Sequence, residues 1–451
     1  MDVYKIFKWI YSFEEETEVD IEETFSNSKG TVWLSKNNKG LSFKLDHPHS
    51  KLFYKEKSNF IISYGTFKIK IDYFLVKSVK NNIFSKIGLA YIFKSVNFDR
   101  DTPKFYRYYS RIDSFFMISF LKGGQRELSI NLDEFNFKIY VCSFSPEIQG
   151  NFLCVECDSK IEFEVFKNYV NNIIVSIAFF RGEFYKLEEF YFQSNFEGFS
   201  KKTEVFYRNS DKRYVFPYPF TKSPNDWECK FREDFVLSED IEEKWASFIN
   251  ESKFKSFVTL LISRPKIYFS IRVVFDFNSY PSISRISLMF VVFETLCEEL
   301  NEKTSRVEKQ IKQKKAAEVL DKIKDKIGIN DFKVLNDIIE NIDVKLVNNA
   351  VHFEQTLKSL GIKYNNEERN ILAKRNDFFH GRIIPNSCPI KNEETFDTLE
   401  KKYNYYSLRL YVLVSKILLK KINFEGYLIN YPKLFEIDYG VKLNEPYFTE
   451  L

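Results

Sequence analysis

The sequence predicts an α+β protein in which an N-terminal antiparallel β-rich domain, a sandwich or a curled sheet, precedes a C-terminal all-α helical bundle. Three observations predict it. From about Thr17 to Tyr207, short apolar runs with period-two alternation are separated by turn residues. Residues 210–227 (SDKRYVFPYPFTKSPNDW) then concentrate three prolines and mark a junction. Beyond it, apolar residues recur at the spacing of a helix face. The chain accordingly divides into a β-rich sensor or regulatory domain (1–225), a linker with a connecting helix (226–281) and a helical domain (282–451).

Taken in order, Thr31–Ser35 and Leu41–Asp46 are short strands around the turn Lys36–Gly40. Thr66–Phe74 places Phe67, Ile69, Ile71 and Tyr73 on one face and Lys68, Lys70 and Asp72 on the other. Phe115–Lys122 turns at Gly123-Gly124 into Glu127–Leu132, followed by Phe135–Cys142. Ile161–Val165, Ile173–Phe180 and Glu183–Gln193 continue the strand series. Only 14 glycines are present, so Asn, Asp and Ser must form many of the turns. In the second half, Ser238–Ser256 reads as a helix, with Ile241, Trp245, Phe248 and Ile249 on one face and Ser238 as N-cap. Ser282–Leu300 is the most apolar helix and the expected centre of the bundle. Arg306–Ile327 is charged, Asp331–Leu346 is amphipathic, and Asn366–His380 is a further helix. Glu393–Lys421 closes the bundle with Leu408, Tyr411, Val412, Ser415 and Leu419 inward, and Ile422–Leu451 packs back as an irregular tail.

Bulk properties bound the function. The 451 residues suffice for two or three domains with ample core. A formal net charge of +4 excludes a strongly basic nucleic-acid coat and leaves room for a local basic patch. The 49 Phe and 27 Tyr, with abundant Lys, Asn and Ile, are amino acids of AT-rich codons, so they report base composition before function. Met1–Phe13 alternates aromatic and charged residues and lacks the apolar segment of a signal peptide. No stretch reaches the ~18 apolar residues of a membrane span. Six cysteines are too sparse for a disulfide framework and fit a reducing cytosol. A cytoplasmic protein without membrane partner or cofactor is expected. Phosphate-binding G-x-x-x-x-G-K-[ST] and G-x-G-x-x-G, the G-x-S-x-G elbow and H-E-x-x-H are all absent.

The most informative stretch is Lys374-Arg375-Asn376-Asp377-Phe378-Phe379-His380-Gly381, which holds one of only four histidines. Glu367 and Glu368 suit the first turn of its helix, Gly381 the C-cap and Pro385 the stop. At about 100° per residue Asn376 and His380 share a face, whereas Arg375 lies about 140° from His380. The two converge only if the helix frays or opens after Phe379. Phe378 and Phe379 can bury while the polar set faces out. Such a helix end is poor core material and suits an acid–base and anion site; the plainer alternative is a capping histidine beside a surface arginine.

Arg375-Asn376, three further residues and His380-Gly381 resemble the R-x(4–6)-H signature of HEPN ribonuclease domains. A helical tail behind a long β-rich region is similar to the ApeA-like anti-phage HEPN nucleases. The resemblance covers the C-terminal third in pattern and the N-terminal half in kind. It implies an HEPN helical bundle and metal-independent endoribonuclease chemistry, in which a 2′-hydroxyl attacks the adjacent phosphodiester. Histidine, with an unperturbed pKa of about 6.5, can accept or donate the proton. Arg375 would supply a planar cation for the phosphorane oxygens, and Asn376 would orient His380 or hold a phosphate oxygen. Glu294 falls where related domains carry an acidic residue facing the motif. As a carboxylate in an apolar helix it needs a partner, Arg375 or His380, and an interhelical structural role competes with a catalytic one. The resemblance further implies a homodimer through the helical domain, host RNA as substrate with tRNA a candidate, abortive anti-phage defence, and a phage-derived trigger at the β-rich domain. The rival is a non-catalytic HEPN dimerisation or RNA-binding module with a β-sandwich recognition domain.

Lys309, Lys312 and Lys315, with Lys374 and Arg382 flanking the motif, are candidate RNA-backbone contacts. Interspersed Glu308, Glu318, Asp321 and Asp325 equally suit a solvated helix face. Cys154-Val155-Glu156-Cys157 is a lone C-x-x-C on a strand that would point its cysteines to opposite faces, so no metal site is expected. Asp46-His47-Pro48-His49 reads as a surface turn.

Overall fold

A strand that serves two neighbours along a single edge organises the N-terminal half. The computed structural model describes residues 3–11, 17–23, 27–35, 40–45, 60–64, 67–79, 86–112, 127–144, 148, 150–199, 202–220, 247–300, 314–315, 317–324, 328–341, 349–379, 390 and 396–451. These fall into two compact units, Met1–Tyr218 with Phe248–Ile262, and Pro219–Ser247 with Ser263–Leu451.

In the first unit, β1 (Thr17–Glu23), β2 (Asn27–Ser35), β3 (Gly40–Leu45), β4 (Phe60–Tyr64), β5 (Phe67–Val79) and β6 (Lys86–Ser95) run in the order β3-β2-β1-β4-β5-β6. β3 pairs back on β6, from Leu41↔Ala90 to Leu45↔Lys86, and closes a ring of six antiparallel strands. The rest of that edge of β6, Ile92 to Lys94, pairs with Arg208 to Phe206 of β12 (Glu204–Val215). From there the sheet continues through β11 (Glu183–Ser194), β7 (Phe105–Ile112), β10 (Asn151–Cys157), β9 (Phe135–Cys142) and β8 (Glu127–Leu132). Of the two expected forms, this is the curled sheet. The expected strand Phe115–Lys122 lies outside the described residues.

Two helices cover the open part of the sheet. α1 (Val3–Tyr11) buries Val3, Ile6, Phe7 and Ile10, an i, i+3, i+4, i+7 set that the aromatic–charged alternation of the first residues had hidden. Phe7 meets Phe190, Phe152, Phe192 and Tyr109 at centroid separations of 4.7–5.4 Å. The second helix, α2 (Phe163–Arg181), corrects the sequence reading, which made strands of Ile161–Val165 and Ile173–Phe180. Phe166, Val170, Ile173 and Ile177 are buried at helical spacing, and Gly182 ends the helix in the left-handed region at φ 75° with its N–H on Ala178 O at 2.9 Å. Helix and strand are hard to separate where every residue is buried, as from Val175 to Phe180. Pleating sends Tyr106 and Tyr108 of β7 towards one face and Tyr109 towards the other: Tyr106 stacks on Phe166 of α2 at 5.2 Å, while Tyr109 packs on Phe7 of α1. Adjacent carboxylates follow suit. Glu188 accepts from Tyr11, Tyr207 and Arg111, and Glu189 accepts from Tyr108.

The expected helix Ser238–Ser256 is displaced along the chain. α3 spans Glu251–Ser263, with the Asn250 side chain accepting the Lys253 N–H at 2.8 Å; Phe248 and Ile249 precede it, and residues 238–246 lie outside the described set. Phe257 of α3 stacks on Phe179 of α2 at 5.2 Å, so this helix belongs to the first unit rather than to a linker.

In the second unit the described helices are α4 (Pro265–Phe275), α5 (Ser282–Leu300), α6 (Ile329–Asn341), α7 (Asn349–Ser359), α8 (Asn366–Ala373), α9 (Arg375–Phe379) and α10 (Phe396–Lys421). Residues 317–323 of the charged segment are also helical. α5 has the bounds that its periodicity predicts, and α10 packs along it with Leu408, Tyr411, Val412, Ser415 and Leu419 buried. The tail is more regular than expected: β13 (Tyr427–Ile429) pairs with β14 (Phe448–Glu450), and α11 (Tyr431–Leu434) and α12 (Glu436–Tyr439) lie between them. It is tied to α10 by charge. Arg409, 3% exposed, donates to Glu445 at 2.6 and 2.7 Å and twice to the Tyr405 hydroxyl at 3.0 and 2.9 Å. Asn430 and Asn365 donate to the same carboxylate at 3.0 and 3.2 Å. No described helix is long and apolar enough to cross a membrane.

Candidate functional site

The stretch around Arg375 is broken where the sequence suggests continuity. Asn365 caps α8 reciprocally: its side chain accepts the Glu368 N–H at 2.8 Å, and Glu368 accepts the Asn365 N–H at 2.8 Å. The helix stops at Lys374 (φ −92°, ψ 11°), whose N–H falls between Asn370 O at 3.3 Å and Ile371 O at 3.1 Å. A new turn starts at Arg375, with Asp377 N–H returning to Lys374 O at 3.0 Å. The described part of the expected helix Asn366–His380 is therefore two helices, interrupted at Lys374; the expected opening after Phe379 falls on residues outside the described set.

Aromatic packing anchors the short helix. Phe378 is buried against Phe290 of α5 at 5.4 Å and Tyr406 of α10 at 5.6 Å. Phe379, expected to bury, remains 39% exposed and lies beneath the Arg375 guanidinium, 4.3 Å from ring centroid to Cζ. From α5, Glu294 meets that guanidinium through two hydrogen bonds, from Nε to Oε1 and from Nη2 to Oε2 at 3.0 Å. Of the two partners named for Glu294, the described residues thus contain Arg375. Both side chains are about a quarter exposed, 23% for Glu294 and 26% for Arg375, so the pair is half-buried rather than sealed. The third bond runs from Arg375 Nη1 to Asn376 Oδ1 at 2.9 Å. The Glu294 hydrogen bonds raise the Arg375 pKa above its ordinary value, so the cation is permanent.

Glu294 and Asn376 engage three of the five N–H groups of this guanidinium. One hydrogen on each Nη carries the remaining capacity for an anion. Bidentate pairing and ring stacking together fix the plane of the cation, which a lysine could not reproduce. His380, Gly381 and Arg382 lie outside the described residues, as do Lys309 and Lys312. Lys315 is exposed on the charged segment and Lys374 is half-buried at the helix break. The sequence reading missed the Arg375–Phe379 stack, although i, i+4 spacing was its signal, and it missed the break at Lys374, which has no Gly or Pro to mark it.

Among the described residues, no group of three or more His, Cys, Asp and Glu is placed to hold a metal ion. Cys154 and Cys157 are buried and unpaired on β10, and burial pushes the Cys157 thiol up to about 11. His47 and His49 lie outside the described residues. Comparison with protein-family models, with curated proteins and with solved structures returns no match to this chain.

Proposed function

We propose that the chain is a metal-independent endoribonuclease of the HEPN type, acting on host RNA in abortive anti-phage defence. In this reading Arg375 stabilises charge on the phosphorane, His380 transfers the proton, Asn376 orients His380 or holds a phosphate oxygen, and Glu294 holds Arg375. Transfer RNA is the candidate substrate, and the working form is a homodimer through the helical unit. The observation that carries the reading is the Arg375–Glu294 clamp at the first residue of the turn leading into His380. It presents a cation of fixed plane, only partly exposed, five residues before the one side-chain type that titrates near neutrality.

One feature favours the rival. With three N–H groups engaged and one face on Phe379, Arg375 also suits a purely structural clasp between α5 and α9, as in a non-catalytic RNA-binding or dimerisation module. Purified full-length chain incubated with total tRNA and EDTA decides between them. Catalysis predicts cleavage that survives the chelator and leaves 2′,3′-cyclic phosphate ends. It also predicts loss of cleavage in His380→Ala and a fall of about 10²–10³ in rate for Arg375→Ala. Undiminished cleavage by His380→Ala, or no cleavage by the wild type beside tight RNA binding, would overturn the nuclease reading.

A further inference from the structure

In the first unit, the loop between β6 and β7 meets the loop between β11 and β12 over a cavity of about 460 Å³, within the ~300–1,000 Å³ of small-molecule sites. Among the described residues that line it, none is apolar. Gln193 and Ser194 form a buried floor, Glu204 and Asp99 contribute carboxyls, and Lys104 and Lys202 contribute ammonium groups.

Three details distinguish this cavity from a wet crevice. Lys202 has a left-handed backbone (φ 51°), a conformation uncommon outside glycine that recurs at ligand clamps. Its ammonium has no ion-pair partner among the described residues, whereas Lys104 is braced by Asn195 Oδ1 at 2.6 Å. The two carboxyls are also shifted in opposite directions. The Thr102 hydroxyl and the Asp101 N–H keep Asp99 below the usual carboxylate range, while burial pushes Glu204 above it. The cavity of about 290 Å³ beside Arg409 in the second unit is different, since there Glu445 already accepts four hydrogen bonds from its neighbours.

The geometry points to a binding site for a small polyhydroxylated anion, a sugar monophosphate by chemistry. Lys202 and Lys104 would take the phosphate as point charges. The Glu204 carboxyl would take a hydroxyl, while the buried Gln193 amide, already engaged by the Asp99 backbone, fixes the floor beneath it. No aromatic ring is among the described lining residues to stack on a base. The site does not depend on the ribonuclease reading.

Isothermal titration of the full chain with glucose 6-phosphate, ribose 5-phosphate, glucose and inorganic phosphate tests it. The expected result is saturable one-site binding of a sugar phosphate, at least tenfold tighter than either glucose or phosphate alone. The exposed substitution Lys202→Gln should weaken it at least tenfold with an unchanged melting temperature, and Lys138→Gln on β9 should leave it intact. The inference is overturned by no saturable binding of either sugar phosphate, by equal affinity for inorganic phosphate, or by undiminished binding in Lys202→Gln.

Discussion

Replacing Arg409 by methionine tests how far one buried charge cluster holds the tail to the helical unit. The substitution keeps the length of the side chain and removes its five donors. Glu445 is then left with only Asn430 and Asn365 from its present set, and the Tyr405 hydroxyl loses both donors. Because Arg409 is 3% exposed and Glu445 21%, water can replace little of this. Breaking one side of such a pair costs about 3–5 kcal/mol. For a unit of this size that is roughly 2–4 °C per kcal/mol, a drop of roughly 6–20 °C in its transition. Arg409→Met/Glu445→Leu should recover only part of the loss, since it removes the Arg409–Glu445 pair but leaves Glu367, 3.4 Å from Arg409 in the wild type, without its arginine. Calorimetry of the three variants gives the shifts, and hydrogen exchange should place the weakening at Tyr427–Ile429 and Phe448–Glu450. The acid limb carries a second signature. Burial alone would raise the Glu445 pKa, but Arg409 outweighs it and the carboxyl sits below its ordinary 4.5. Its contribution is therefore full above that value and lost as pH falls through the folded one. Arg409→Met should flatten this limb. A transition within about 2 °C of wild type, or unchanged exchange in the tail, would refute the reasoning.

Other outcomes follow from single contacts. Glu354, hydrogen-bonded by Arg369 at 2.7 and 3.1 Å, should titrate at about 2 by carboxyl NMR and return towards 4.5 in Arg369→Gln. Gly182→Ala would set a Cβ 2.7 Å from Phe216 O at φ 75°, so equilibrium denaturation should show a loss of at least about 1–2 kcal/mol. Burial raises the thiols of Cys142, Cys154, Cys157 and Cys297, those of Cys142 and Cys157 to about 11 and that of Cys297 to about 12. Iodoacetamide at pH 8 should leave their peptides unmodified in the folded chain and label them after denaturation.

What could be read from the residues divides along the amphipathic elements. β5 and β8 were legible because one face is polar: β8 alternates exposed and buried residues along its whole length. α5 was legible because its buried set recurs at helical spacing between clear bounds. α2 was not, since unbroken burial from Val175 to Phe180 erases, over its second half, the contrast on which period detection depends. The ring closure was equally hidden, because β3 and β6 pair across 40 intervening residues, 46–85, without any local signal. At the candidate site, a lone acid amid apolar residues drew attention to Glu294, and the clamp followed from the need of such a group for a partner. The interruption at Lys374 has no Gly or Pro to announce it, and the packing of Phe378 between Phe290 and Tyr406 that follows it is tertiary, which a single-chain pattern does not encode.

The divided edge of β6 has a consequence for evolution and engineering alike. A strand whose first half completes one assembly and whose second half starts another cannot slip by one position without turning both inside out. Residues inserted between Lys86 and Ser95 would therefore be felt across the whole β region at once, whereas the same insertion at the outer strand β8 would disturb only its pairing with β9.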